Sequence, residues 1–119
     1  MLLLDKRGKY WLVIDLEKIM LGKSDLKISR VGLGTLAFGH KSKGIQDKKE
    51  IFEIINYALD SGINLIDTAE EYSGGLTEKY IGEVIKERGD RGEVVIVTKI
   101  SPVNLSYTNM LKAANHSLR

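Results

Sequence analysis

Three polar residues in this sequence have the types and spacing to work on a proton together. Asp67 closes the short run Ile63-Asn64-Leu65-Ile66. Tyr72 lies five residues on, in a loop, and Lys99 follows Thr98 at the end of Val94-Val95-Ile96-Val97. In α/β folds the carboxyl ends of the strands form the functional rim, so acid, phenol and ammonium would meet there. A free tyrosine, with a pKa near ~10, is a poor proton donor at neutral pH. An adjacent ammonium stabilises the phenolate and lowers that pKa, and an aspartate keeps the ammonium charged and in place. The phenol then serves as general acid toward a carbonyl oxygen. Taken singly, an Asp at a strand end also caps the following loop, and a Lys after a strand also serves as a surface residue. Spacing alone leaves both readings open.

The elements that would position these residues alternate. Ile51, Ile54, Ile55, Ala58 and Leu59 follow the spacing of one helix face. Asp47 and Glu50 make a capping-box-like start, and Gly62 a stop. A short strand at 63–66 follows, then a loop at Gly74-Gly75. A second helix covers about residues 77–88, with Ile81, Val84 and Ile85 inward. The continuous β-branched run 94–97 predicts a strand covered on both faces. Ser106 caps a third helix that carries Leu111, Ala114 and Leu118. Upstream, 27–31 alternates like a half-buried strand and leads into a glycine-rich loop, 34–44. Strand, helix, strand, helix, strand, helix calls for βαβ crossovers and a parallel sheet.

Composition narrows the function classes. With 18 basic and 16 acidic residues and a net charge of +2, the chain is too balanced to suggest a nucleic-acid or membrane partner. A hydrophobic fraction of 43% and a charged fraction of 29% fit a globular protein. Cysteine is absent, which excludes disulfides, thiolate metal sites and cysteine nucleophiles and fits a cytoplasmic location. Leu2-Leu3-Leu4 and the apolar run 10–14 are too short for a signal core or a membrane span. His40 and His116 have no partner at metal-ligand spacing and are expected at the surface, and Trp11 reads as a packing residue. Gly32-Leu33-Gly34-Thr35-Leu36-Ala37 has the G-x-G-x-x-A form of a Rossmann fingerprint. That fingerprint needs a helix opening inside it, whereas here the first convincing helix begins near Asp47.

The segment 62–72, ending Asp67-Thr68-Ala69-Glu70-Glu71-Tyr72, resembles the aldo-keto reductase motif around its catalytic Asp and Tyr. Ser73-Gly74-Gly75-Leu76-Thr77-Glu78 and Ile81-Gly82 continue it. Residues 95–99 are similar to the strand that delivers the catalytic lysine, 21–35 to the N-terminal hairpin and first strand, and 105–119 to the third helix. The likeness runs in register over about residues 17–119. It implies an α/β fold, namely part of a (β/α)8 TIM barrel: an N-terminal hairpin plus about three βα units. It implies NAD(P)H-dependent interconversion of carbonyl and alcohol on a small aldehyde or ketone, with NADP the expected cofactor and NAD the alternative. Tyr72 would be the proton donor, Lys99 would lower its pKa, and Asp67 would support Lys99. Gly34, Thr35 and Leu36, with Asp67, would border the nicotinamide. No metal is implied.

This sequence departs from the family pattern in three places. Leu36 stands where the family often has tryptophan. Residues 1–16 have no family counterpart and are expected to be an extension, either an arm over a sheet edge or a misassigned start. The family's fourth catalytic residue, a histidine ending the fourth strand, and its adenosine-binding half lie beyond the matched portion. A truncated barrel is therefore expected, with self-association through open sheet edges. A non-catalytic half-barrel that binds a partner or complements a fragment is the alternative.

Overall fold

The computed structural model describes residues 2–4, 10–12, 16–42 and 44–118. Two antiparallel hairpins come first. Strand β1 (Leu2–Leu4) pairs with β2 (Tyr10–Leu12), and β3 (Lys18–Met20) pairs with β4 (Lys27–Ser29). The side chain of Trp11 and the expectation for it lie outside the described residues. The β1–β2 pair forms a sheet of its own and is not hydrogen-bonded along an edge of the main sheet.

That main sheet is parallel, in the order β5 (Gly32–Gly34), β6 (Leu65–Asp67), β7 (Val95–Val97). Helix α1 (Lys48–Asp60) crosses from β5 to β6, α2 (Leu76–Arg88) crosses from β6 to β7, and α3 (Tyr107–Ser117) follows β7. Of the strand predicted over 27–31, residues 27–29 form the antiparallel β4. The Ser29 hydroxyl donates to the Val31 carbonyl (2.7 Å), which turns the chain, and the first parallel strand begins at Gly32.

Local chemistry explains the helix limits. The Asp47 side chain accepts the Lys49 amide (3.0 Å), and Glu50 adds negative charge to the first turn of α1. Gly62 takes φ +88 just past its end. Gly89, at φ +72, ends α2 with its N–H on the Ile85 carbonyl (2.9 Å). No helix opens in the 32–37 glycine motif, so the Rossmann geometry is not formed.

Register decides which face is buried. Leu33, Ile66 and Ile96 align across the sheet and face the helices. Ile66 is fully buried there with Ile51, Ile55, Ile81, Val84 and Ile85. Each such side chain contributes about 1.5–3 kcal/mol relative to exposure. At the rim of this core, Lys48 Nζ lies 2.6 Å from Glu83 and over the Phe52 and Tyr80 rings, which joins α1 to α2.

Two apolar faces marked by the sequence are partly open. The run 94–97 is not covered on both faces: Val94 is buried, but Val97 is 42% exposed. β7 is an outer strand among the described residues, paired on one side only. Leu111 and Leu118 of the third helix are exposed, as is Ala114, and the buried residue is Ala113. The apolar stripe exists, but nothing among the described residues covers it.

Candidate functional site

Strand register carries Gly34, Asp67 and Val97 to one row at the carboxyl end of the sheet. Two residues beyond Val97, Lys99 reaches back over β6. Its Nζ lies 2.6 Å from Asp67 Oδ1, 2.8 Å from the Thr68 carbonyl and 3.4 Å from Tyr72 Oη, and 5.2 Å above the Tyr72 ring. The predicted trio therefore converges. The hydrogen-bonded Asp67 carboxylate is the main cause that holds the Lys99 pKa above the usual lysine range; burial opposes it and the Tyr72 phenol adds to it.

The Lys99 and Asp67 side chains are 49% and 47% exposed. An ion pair so open to water adds little to folding, about 0–1 kcal/mol. Its groups remain reachable from solvent.

Tyr72 begins a 3-10 turn, Tyr72–Gly75, in which Ser73, Gly74 and Gly75 all have positive φ. The left-handed region disfavours a serine by about 1–2 kcal/mol. The Ser73 hydroxyl offsets this by donating to the Phe38 carbonyl (2.7 Å), which also accepts from the Thr77 hydroxyl (3.0 Å). Phe38 is itself in the core. The turn that presents Tyr72 is thus anchored to the loop after β5. Gly39, at φ +73, permits this approach: a Cβ there would lie 2.9 Å from Ser73 Oγ.

The residues expected at the cofactor edge divide into two kinds. Thr35 is fully buried, and its amide and hydroxyl both donate to the Asp67 carbonyl (3.1 and 2.9 Å). It fixes the strand end, with its hydroxyl proton committed to that carbonyl. Gly34 has open space where a Cβ would stand, and Leu36 is 61% exposed. His40 and His116 are exposed, and among the described residues no cluster of His, Asp or Glu could hold a metal. No helix among them is long and apolar enough to cross a membrane.

Several residues of the site were not predicted from sequence. Glu70 accepts from the Ser101 amide and from Asn104 Nδ2 (2.9 Å), and the Ser101 hydroxyl donates to Glu71. Glu78 accepts from the Thr98 hydroxyl (2.6 Å) and from that of Ser117 (3.2 Å). The only signal that could have found them is their place beside Asp67, Tyr72 and Lys99 in the chain.

A parallel βαβαβ sheet with a Lys–Asp pair and a phenol at its carboxyl end defines a class. The sequence model of the Aldo/keto reductase family matches residues 30–119. The chain belongs to that family. It is 43% identical over 84 residues to Aldo-keto reductase YhdN of Bacillus subtilis, an alignment covering 71% of this chain and 25% of that protein. Among solved structures, the thermostable aldo-keto reductase Tm1743, bound to the inhibitor epalrestat, superposes with a TM-score of 0.77. It is 33% identical, and the match covers 87% of this chain and 38% of that one. An aldo-keto reductase of Klebsiella pneumoniae in complex with NADPH superposes with a TM-score of 0.66 at 33% identity, covering 78% and 31%. The chain therefore spans about a quarter of the length of the curated relatives it matches. The fold is a segment of a (β/α)8 barrel: hairpin, open sheet and crossovers, without closure.

Proposed function

We propose that this chain carries the proton-donating part of an aldo-keto reductase site that interconverts a small aldehyde or ketone with its alcohol. Tyr72 is the proton donor, Lys99 lowers its pKa, and Asp67 holds Lys99. The observation that supports this is the single ammonium shared by Asp67 Oδ1 at 2.6 Å and Tyr72 Oη at 3.4 Å. An ammonium donating to the phenol oxygen stabilises the phenolate left when the proton departs. Asp67 keeps the lysine charged and aimed, with the Thr68 carbonyl as a third acceptor. A carbonyl oxygen above Tyr72 Oη takes the phenolic proton as its carbon is reduced.

NADP is the proposed cofactor, with NAD the alternative. The nicotinamide supplies hydride to the carbonyl carbon. Gly34 fits this use, because a flat ring can approach its backbone where any Cβ would intrude, and Asp67 and exposed Leu36 flank it. The Klebsiella relative, solved with NADPH, supports the same choice. Residues 17–119 are the reductase portion and residues 1–16 an added arm.

NADPH oxidation by this chain across a panel of aldehydes tests the reading. Tyr72→Phe is expected to lower turnover by about 10²–10⁴-fold, the range for general-acid catalysis. Equal turnover in both proteins would sink it.

A second reading is a non-catalytic half-barrel that pairs through its open edges. It is favoured by the outer strands β5 and β7 and by exposed Val97, Leu105 and Leu118 near one of them. Absent turnover, with saturable binding to a fragment supplying the remaining βα units, would select it. Mass by light scattering that rises with concentration would show self-association, and a compact monomer throughout would rule that out.

A further inference from the structure

The Lys99–Tyr72 contact has little margin. At 3.4 Å it lies at the long end of hydrogen bonding, so a displacement of about half an ångström would break it. Three acceptors fix the lysine head: Asp67, Thr68 and Tyr72. All lie on the segment that leads from β6. The backbone of Lys99 belongs to the segment that leaves β7. The distance from ammonium to phenol therefore depends on how firmly these two segments are docked.

Glu70 performs that docking at two points. Its backbone N–H donates to the Lys99 carbonyl (3.1 Å). Its carboxylate accepts the amide of Ser101, two residues beyond Lys99, and the side chain of Asn104 (2.9 Å). Both contacts fall on the carboxyl side of Lys99, at its own carbonyl and at the Ser101 amide. Ser101 is buried, and its hydroxyl caps the turn at Val103 and donates to Glu71, so its amide requires an acceptor from outside that turn. A carboxylate is a stronger acceptor for it than water or a neutral group. The Asn104 amide, then that of Ser101, holds the Glu70 carboxyl below the usual carboxylate range, so it stays ionised at neutral pH. Lys112 and His116 of α3 line the same hollow.

We infer that Glu70 is a positioning residue that sets the Lys99–Tyr72 distance through the backbone that follows Lys99. The inference rests on the proposed roles of Lys99 and Tyr72. It concerns a side chain that touches neither the phenol nor the ammonium in this structure.

The test is the ¹³C-tyrosine spectrum of the 119-residue chain at neutral pH, with Tyr72 assigned by its loss in Tyr72→Phe. Lys99→Met removes the ammonium from the phenol oxygen and sets the full displacement of the Tyr72 resonance. Glu70→Ala should displace it in the same direction by a smaller amount as the contact loosens. Glu70→Gln keeps an acceptor for Ser101 and Asn104 and should return the resonance to its wild-type position. A carboxylate acting only as a nearby negative charge would displace Tyr72 equally in both Glu70 variants, which overturns the inference. It is also overturned if Glu70→Ala leaves Tyr72 unmoved while Lys99→Met moves it. If Lys99→Met moves nothing, the catalytic reading falls first and this one with it. Should Glu70→Ala fail to fold, Asn104→Ala decides: a displacement toward that of Lys99→Met supports the inference and none rejects it.

Discussion

At the amino end of β6, Asn64 commits every polar atom it has. Its Oδ1 accepts the Ser29 amide (2.7 Å), and its Nδ2 donates to the carbonyls of Lys27 (2.9 Å) and Glu93 (3.2 Å). Its own N–H donates to Ser29 Oγ (3.1 Å), and its carbonyl accepts from Val95 (2.8 Å). Asn64 and Ser29 are buried. Three residues later, at the carboxyl end of the same strand, Asp67 and Lys99 form a pair half open to water. One end of the sheet is closed by a saturated neutral network that clasps the β3–β4 hairpin. The other is left charged and reachable. Buried hydrogen bonds are costly to break, whereas exposed ion pairs contribute little to folding. Stability and chemistry are thereby assigned to opposite ends, as expected for barrels of this type.

Mutations on each end should separate the two roles. Lys99→Met is expected to reduce turnover by about 10²-fold or more, while unfolding by denaturant shifts by less than about 1 kcal/mol. A large loss of stability with turnover kept would break the comparison. Asn64→Ala should do the reverse. It leaves the buried Ser29 amide without its acceptor and should cost about 3 kcal/mol in the same denaturation experiment. In ¹³C-tyrosine spectra Tyr72 should keep its position, since its contacts lie at the far end of the strand.

The smallest effect is one of pH. Because the folded-state pKa of Lys99 is raised, its contribution to stability is complete below the ordinary lysine pKa and is lost as pH rises through the raised value. The Asn64 network does not titrate. Denaturation of wild type and Asp67→Asn should therefore differ slightly at neutral pH and converge once the pH has passed the raised Lys99 value. A gap that persists there would assign the difference to packing instead of charge.

Much of this was legible in the sequence where the deciding signal is local. Helix α1 begins at Asp47 and stops before Gly62 because cap, period and left-handed glycine all lie in one short stretch. Asp67 and Lys99 were found because parallel strands bring their carboxyl ends together whatever the intervening loops do. Tyr72 followed from its nearness to Asp67. The misreadings have a common cause. Periodicity shows which face of α3 is apolar but not whether anything covers it, and Leu111 and Leu118 stand exposed. The β-branched run 94–97 likewise promised two covered faces where the chain provides one. Asn64 and Glu70 passed as an ordinary strand residue and an ordinary loop residue. The partners of their side chains lie 29 to 37 residues away, beyond any local pattern.

The Asn64 clasp also bears on the order in which the chain assembles. It joins Lys27 to Glu93 through one side chain, and those two carbonyls lie more than half the chain apart. Closing so long a loop costs entropy before any bond rewards it. Helices α1 and α2, made of local contacts, form on a timescale of about a microsecond. The clasp is complete only when the hairpin, β6 and the start of β7 are all in place. Its closure is then a late event that makes folding slower than that of a helical chain of the same length.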